Sequence, residues 1–334
     1  MKYAEAHPLA AAQRWLESGH RVALGTVIAT WGSAPRQPGS TIAVRDDGAF
    51  TGSVSGGCVE GAVIDEARAA MRDGKFRRLE FGVADEQAWS VGLACGGRVE
   101  ILVQPITTER ARSTLAAVNT ARCLEQAIVR AVDLASGEDI VVDPAHDTTS
   151  LGLAAAEAAR ADRSMTVELD GRSWFLSLSN PAVDLVVVGA VHVAQPLARM
   201  AEFLGFRVRV IDPRAAFATE ERFPGVVLAH AYPDEALANA PLGRRSALVT
   251  LSHDPKIDDP ALAAGLASPA FYIGALGSKR THAARCERLK AKGFGGDVLD
   301  RIHGPVGLAI GAKSPEEIAL SIVAEITEVL RRTG

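Results

Sequence analysis

The chain has 334 residues, and its 40 acidic against 36 basic side chains leave a formal net charge of −4. That length exceeds one ordinary core and calls for two, while the mild acidity supplies no general field for a polyanion and argues against nucleic acid as a partner. Four cysteines, Cys58, Cys95, Cys123 and Cys286, lie behind a start without a signal pattern, and apolar runs such as 185–191 fall far short of the roughly 20 residues a bilayer span needs, so free thiols, a cytoplasmic location and no membrane segment are expected.

In chain order, residues 21–32 (RVALGTVIATWG) are rich in β-branched side chains, and STIAVRDDGAF follows with Asp46-Asp47-Gly48 as a hairpin signal. The Gly-rich TGSVSGGC leads into VEGAVIDEARAAMRDG, where Val59, Ala62, Val63, Ala67, Ala70 and Met71 recur at helical spacing and Gly74 can end the helix. Strand-like RRLEF and RVEILVQP come next, separated by a loop holding CGG. From about 108 to 180 an Ala-rich helical stretch, strands at EQAIVRAVDL and MTVEL and a hairpin at LDGRSWFLSL can be read, but no chemistry. Asn180-Pro181 punctuates the end of this region and sets the expected division into 1–180 and 181–334.

The second half reads DLVVVG, a helix over about 193–204, RVRVID, GVVLAH, SALVTL, a helix near 260–267, AFYIG and a helix over about 279–292. Continuously apolar strands alternating with helices belong to a sheet covered on both faces. The expected fold class is therefore α/β, with a C-terminal Rossmann-like doubly wound parallel sheet and a smaller β-rich α/β N-terminal domain. Ser314, Pro315 and Glu317 form a capping box for the last helix.

The strand DLVVV runs into Gly189-Ala190-Val191-His192, and Asp212 closes the next strand. In a Rossmann first turn a glycine permits the tight turn, the helix amides face a phosphate and the acid binds a ribose diol. Gly189, His192 and Asp212 are thus candidates for holding a nucleotide-bearing ligand. Val191 occupies the position where dinucleotide-binding turns carry a second glycine, which disfavours an ordinary NAD(P) site. The plainer alternative is that Gly189 only turns a strand into a helix and that His192 caps or packs.

The stretches GTVIATWGSAPRQPGS with GSVSGGCVEGAV, the central GLACGGRVEILVQP, and a C-terminal series of VVVGAVHVAQPLA, LSHDPKIDDPAL, YIGALGSKRTHAARCERL and RIHGPVGLAIGAKSPEEIALSIVAEI stand out together. In them the chain resembles the XdhC/CoxI proteins, maturation factors of xanthine dehydrogenase and related molybdenum hydroxylases. These stretches stand in the family's order and cover most of the chain outside about 106–180. The resemblance implies a role in binding molybdenum cofactor, as molybdopterin or its dinucleotide form, and in delivering it sulfurated to an apo-hydroxylase such as xanthine dehydrogenase. It brings a cysteine desulfurase and a second copy of the chain, as a homodimer, into view as further partners. The family usually has glycine where this chain has Val191.

A carrier for such a cofactor needs anion-binding amides, cationic donors and a soft ligand. Gly277-Ser278-Lys279-Arg280 follows a buried strand and opens a helix bearing His282 and Arg285. Ser278 can cap that helix, and Lys279 and Arg280 oppose its dipole unless an anion sits there; a solvated basic face is the other reading. Ser252-His253-Asp254 ends a strand on the side where open sheets bind ligands. Neighbours in sequence make no catalytic triad, so these line the pocket, and Asp254 could equally cap a helix. Gly189, His253 and Gly274 are expected at one edge of the sheet.

In the N-terminal half, Gly56-Gly57-Cys58 precedes a helix whose dipole favours a thiolate, with Glu60 close by, and Cys95-Gly96-Gly97 mirrors it ahead of a strand. Soft molybdenum suits thiolate better than carboxylate, so Cys58 and Cys95 are candidate contacts for the metal end, expected to share a cavity; small buried cysteines in tight turns are the alternative. Ser33 and Arg36 could reach a phosphate or the pterin, or belong to a rigid surface loop. The spacing of the cysteines excludes a CxxC zinc site. An NAD(P)-dependent oxidoreductase using the Rossmann-like half is the competing function, and a regulatory scaffold without ligand a third.

Overall fold

The computed structural model describes residues 7–34, 36–82 and 97–332. The chain divides after Pro181 into two compact units.

The first unit opens with helix α1 (Pro8–Glu17), strands β1 (Val22–Trp31), β2 (Thr41–Arg45) and β3 (Phe50–Gly52), helix α2 (Glu60–Asp73) and strands β4 (Arg77–Phe81) and β5 (Arg98–Pro105). The strands form an antiparallel sheet in the order β3-β2-β1-β5-β4. Helix α2 lies on one face, burying Val63, Ala67 and Ala70 against Val27, Ile42 and Ile101. It sits so close that a methyl group at Gly25 would come within 3.0 Å of Val63 Cγ1 on the helix. Gly74, left-handed at φ +73°, ends it.

Helix α3 (Glu109–Cys123), β6 (Ile128–Asp133), β7 (Asp139–Val142), α4 (Ser150–Arg160), β8 (Met165–Leu169) and β9 (Arg172–Ser179) complete this unit. Their sheet runs β7-β6-β9-β8. Two helices thus occupy the region where the sequence suggested one Ala-rich stretch. Thr108 and Thr149 cap them, each accepting a hydrogen bond from a first-turn amide.

The second unit contains β10 (Asp184–Val188), α5 (Ala194–Phe203), β11 (Arg207–Ile211), β12 (Val227–Ala229), α6 (Pro233–Asn239), β13 (Ser246–Thr250), α7 (Pro255–Leu266), β14 (Tyr272–Ala275), α8 (Lys279–Ala291), α9 (Gly296–Leu299), β15 (Ile302–His303) and α10 (Pro315–Arg332). Its sheet is parallel in the order β12-β11-β10-β13-β14-β15. Side chains of β10 alternate between faces: Leu185 and Val187 pack with α5 and α10, and Val186 and Val188 with α7 and α8. Each such buried side chain contributes roughly 1.5–3 kcal/mol, which is why the strand is apolar throughout.

Helix α7 starts earlier than the sequence suggested, because Asp254 caps it by accepting from Lys256 N at 2.9 Å and Pro255 fits its first turn. The capping box of α10 forms reciprocally: Ser314 Oγ accepts from Glu317 N and Glu317 Oε2 from Ser314 N. Among the described residues no helix is long and apolar enough to cross a membrane.

Candidate functional site

In the second unit the strand order reverses at β10, so a crevice opens between the carboxyl ends of β10 and β13, the position where open α/β sheets hold ligands. Gly189 begins the turn after β10 with φ +101°, and a Cβ there would stand 2.7 Å from Ser252 N. Both facts require glycine. Leu251 N donates to Val188 O and Leu276 N to Thr250 O, so the turns after β10, β13 and β14 lie side by side. Gly274 pairs with Val249 one residue before that edge. Gly189, His253 and Gly274 therefore share one end of the sheet.

Asp212, 0% exposed, is already fully engaged. Its Oδ2 accepts from Ala190 N (2.8 Å) and Arg214 Nη2 (2.7 Å), and its Oδ1 from Arg214 N and Nε (2.9 Å each). These fill the positions a carboxylate offers. Burial pushes its pKa up, but the bonds from Arg214 and Ala190 outweigh that and hold it below the usual range. It braces the turn and has no oxygen free for a ribose diol. Val191 is half-buried and packs against the apolar cluster beneath α5 and α10. His192 is exposed, in a groove of about 400 Å³ shared with Gln195, Arg199, Pro315 and Glu316.

At the end of β13, His253 adopts a left-handed backbone, φ +62°, uncommon for a residue with a side chain. Buried Asp258 holds this loop by accepting from Ser252 Oγ (2.6 Å), Ser252 N (3.3 Å) and His253 N (3.2 Å). Burial raises its pKa, opposed by those bonds and by the charge of Arg285. Asp254 spends its carboxylate on the α7 cap.

After β14, Gly277 (φ +143°) precedes Ser278, whose Oγ caps α8 by accepting from Thr281 N at 3.1 Å. Lys279 and Arg280 are exposed and make no ion pair among the described residues. Arg285 is 2% exposed. Its Nη2 donates to Leu276 O at 2.8 Å, while Nε and Nη1 are buried without a partner among the described residues, as is Thr250 Oγ1 on the adjoining strand end. Burial pulls the Arg285 pKa down, against the attraction of Asp258 and Asp259. A buried cation beneath a glycine loop is left with donors that an anion or another strong acceptor would satisfy. The sequence signal for Arg285 was its place four residues before buried Leu289, a charge on the inward stripe of the helix.

In the first unit the two candidate loops come together. Ser33 and Arg36, both exposed, line a shallow cleft with Val54, Ser55, Gly97 and Arg98, and the Arg98 guanidinium stacks 3.9 Å over Trp31. Glu60, 7% exposed, accepts from Ser53 Oγ, Val54 N, Ser55 N, Ser55 Oγ, Gly56 N and Gly57 N at 2.5–3.1 Å. Burial alone would raise its pKa, yet the bonds from Ser55 and Ser53 hold it well below the carboxylate range. Gly56 and Gly57, at φ +92° and +120°, turn their amides onto this carboxylate and away from any external anion. Cys58 is half-buried against the α2 cluster, its amide donating to Ser55 Oγ. Cys95 lies outside the described residues, and with it the cavity it was expected to share with Cys58. Among the described residues no group of three or more His, Cys, Asp or Glu is arranged to hold a metal ion.

Residues 185–326 match the family model described as the XdhC Rossmann domain, and residues 15–82 the model described as the XdhC and CoxI family. Over 318 residues the chain is 29% identical to the molybdenum cofactor insertion chaperone PaoD of Escherichia coli (strain K12), covering 94% of this chain and 85% of that protein. It is 28% identical over 332 residues to a probable xanthine dehydrogenase subunit of Bacillus subtilis (strain 168), covering 96% of each. A crystal structure described as a xanthine dehydrogenase from Bacillus halodurans shares the fold, with a TM-score of 0.75 and 22% identity over 97% of this chain and 96% of that one.

Proposed function

The chain belongs to the XdhC and CoxI family, and from that premise we propose that it binds molybdenum cofactor and inserts it into a molybdenum hydroxylase of the xanthine dehydrogenase type. It acts as a maturation chaperone in the cytoplasm. The PaoD relative is named for such insertion and the Bacillus subtilis relative for a xanthine dehydrogenase.

The observation that carries the reading is Arg285. Its unmet Nε and Nη1, with Lys279 and Arg280 at the start of the same helix, fit the phosphate end of the cargo. Gly277 lets the ligand approach the loop backbone, and His253 and Ser278 border the same edge. Where the cargo is the dinucleotide form, its nucleotide lies along the Gly189 turn, beside His192. Ser33, Arg36, Cys58 and Cys95 of the first unit are further candidate contacts for the cofactor. A cysteine desulfurase supplying the sulfur and a second copy of the chain belong to this reading as partners.

The test is to incubate the protein with molybdenum cofactor, measure co-elution, and follow activation of an apo-hydroxylase. Failure of both would end the proposal. An NAD(P)-dependent oxidoreductase is favoured by one observation, the strand order, and opposed by the engagement of Asp212. Calorimetric titration with NADH and NADPH separates the two, since an oxidoreductase must bind one of them.

A further inference from the structure

The middle segment of the first unit, which carried no legible chemistry, holds a cleft of about 250 Å³ between the end of β5, the start of α3 and the β6–β7 turn. Gln104 lines it and is 5% exposed. Its Nε2 donates to Gly137 O at 2.9 Å, which fixes which end of the amide is oxygen, and its Oε1 is buried without a partner among the described residues. A residue lining the cleft thus keeps one buried acceptor unmet, which an N–H or O–H donor would complete.

The donors lie alongside. Helix α3 opens here; Thr108 Oγ1 takes Ala111 N, while the amides of Glu109 and Arg110 lack intrahelical acceptors. Arg110 is fixed on the rim by Nε to Asp139 O (3.1 Å) and Nη1 to Glu138 (3.2 Å), with Nη2 left over. Phe76 supplies an aromatic wall, so tight beneath the turn that a Cβ on Gly137 would meet its ring at 2.5 Å. A phosphate is the wrong occupant, because a deprotonated oxygen facing Gln104 Oε1 sets acceptor against acceptor. A flat ring carrying an N–H next to a C=O satisfies both sides at once.

We infer that this cleft binds the lactam edge of a pterin, with the ring N–H donated to Gln104 Oε1 and the ring carbonyl accepting from the α3 start and Arg110. The choice of a pterin rests on the cofactor-chaperone reading above; the lactam edge rests on the cleft alone. Guanine presents the same edge, and adenine does not.

The experiment titrates the full chain with fluorescent pterin-6-carboxylate, with GMP and AMP as competitors. The parent should bind the pterin, GMP should compete weakly and AMP not at all. Gln104→Leu should weaken binding at least tenfold without lowering the melting temperature by more than a few degrees, and Arg110→Ala, at a half-exposed rim position, several-fold. Parent-like binding by both variants overturns the assignment, as does no pterin binding by the parent. Tighter binding of GMP than of the pterin overturns the pterin in favour of guanine. Pterin binding that needs Gln104, in a protein that transfers no cofactor to an apo-hydroxylase, upholds the cleft and sinks the chaperone reading.

Discussion

Arg285 Nη2 donates to Leu276 O at 2.8 Å, tying the buried middle of α8 to the loop at its own start. The bond orients a guanidinium whose other nitrogens Nε and Nη1 have no acceptor among the described residues. The loop and the cation beneath it are therefore tied together, with two donors of that cation left unmet.

Replacing Arg285 by Met should keep the fold, since the chain length is similar and two unmet buried donors are removed with the one bond lost. Cofactor co-elution should fall at least tenfold, read by pterin fluorescence after gel filtration, with the melting temperature followed in parallel. Undiminished co-elution would place the anion elsewhere.

The double change Lys279→Ala and Arg280→Ala should leave stability almost untouched, because exposed charges without partners contribute little. Loss of two charge-assisted contacts should weaken cofactor binding by on the order of 2–5 kcal/mol. Equal affinity in a folded double variant would return this helix start to an ordinary solvated face.

Gly189→Ala should destabilise the second unit. The left-handed backbone and the 2.7 Å approach to Ser252 N together should cost on the order of 1–3 kcal/mol, measured as a lower denaturation midpoint. An unchanged midpoint would mean that the turn can relax away from Ser252.

Glu60 predicts a pH dependence whose sign is fixed by its depressed pKa. Its contribution is complete above the unfolded-state value of about 4.3 and drains away as the pH falls toward the folded-state value. Glu60→Gln should cost on the order of 2 kcal/mol at pH 7, since one amide cannot replace a carboxylate receiving that many donors. Its stability should also fall less than the parent's between pH 5 and 3. Parallel pH profiles of parent and variant would show that the loop is held by something else.

The parts of this fold legible in the sequence are those written in local pattern. The unbroken LVVV of β10 announces a strand buried on both faces, Gly189 its turn, and Ser314 with Glu317 the start of α10. The strands β7 and β15, four and two residues long, are too short to show a period. Asp212 was readable as an acid at a strand end, but its engagement depends on Arg214 folding back onto it, a tertiary choice that spacing does not encode. The sequence placed Arg285 on its helix, but the unmet donors of Arg285 and the unmet acceptor of Gln104 stayed hidden for a related reason. What marks them is an empty hydrogen-bonding position inside the protein, and a sequence records residues without recording which of their atoms go unpaired.

The loop at residues 53–57 carries its own counter-ion. With Glu60 inside it, the ring of amides is electrically closed before any ligand arrives, and an approaching phosphate meets a carboxylate. The start of α8 is the reverse case, with cations collected at the positive end of a helix dipole. One glycine-rich loop is thus electrostatically closed to an anion, while the other leaves its positive charge uncompensated by the protein's own side chains.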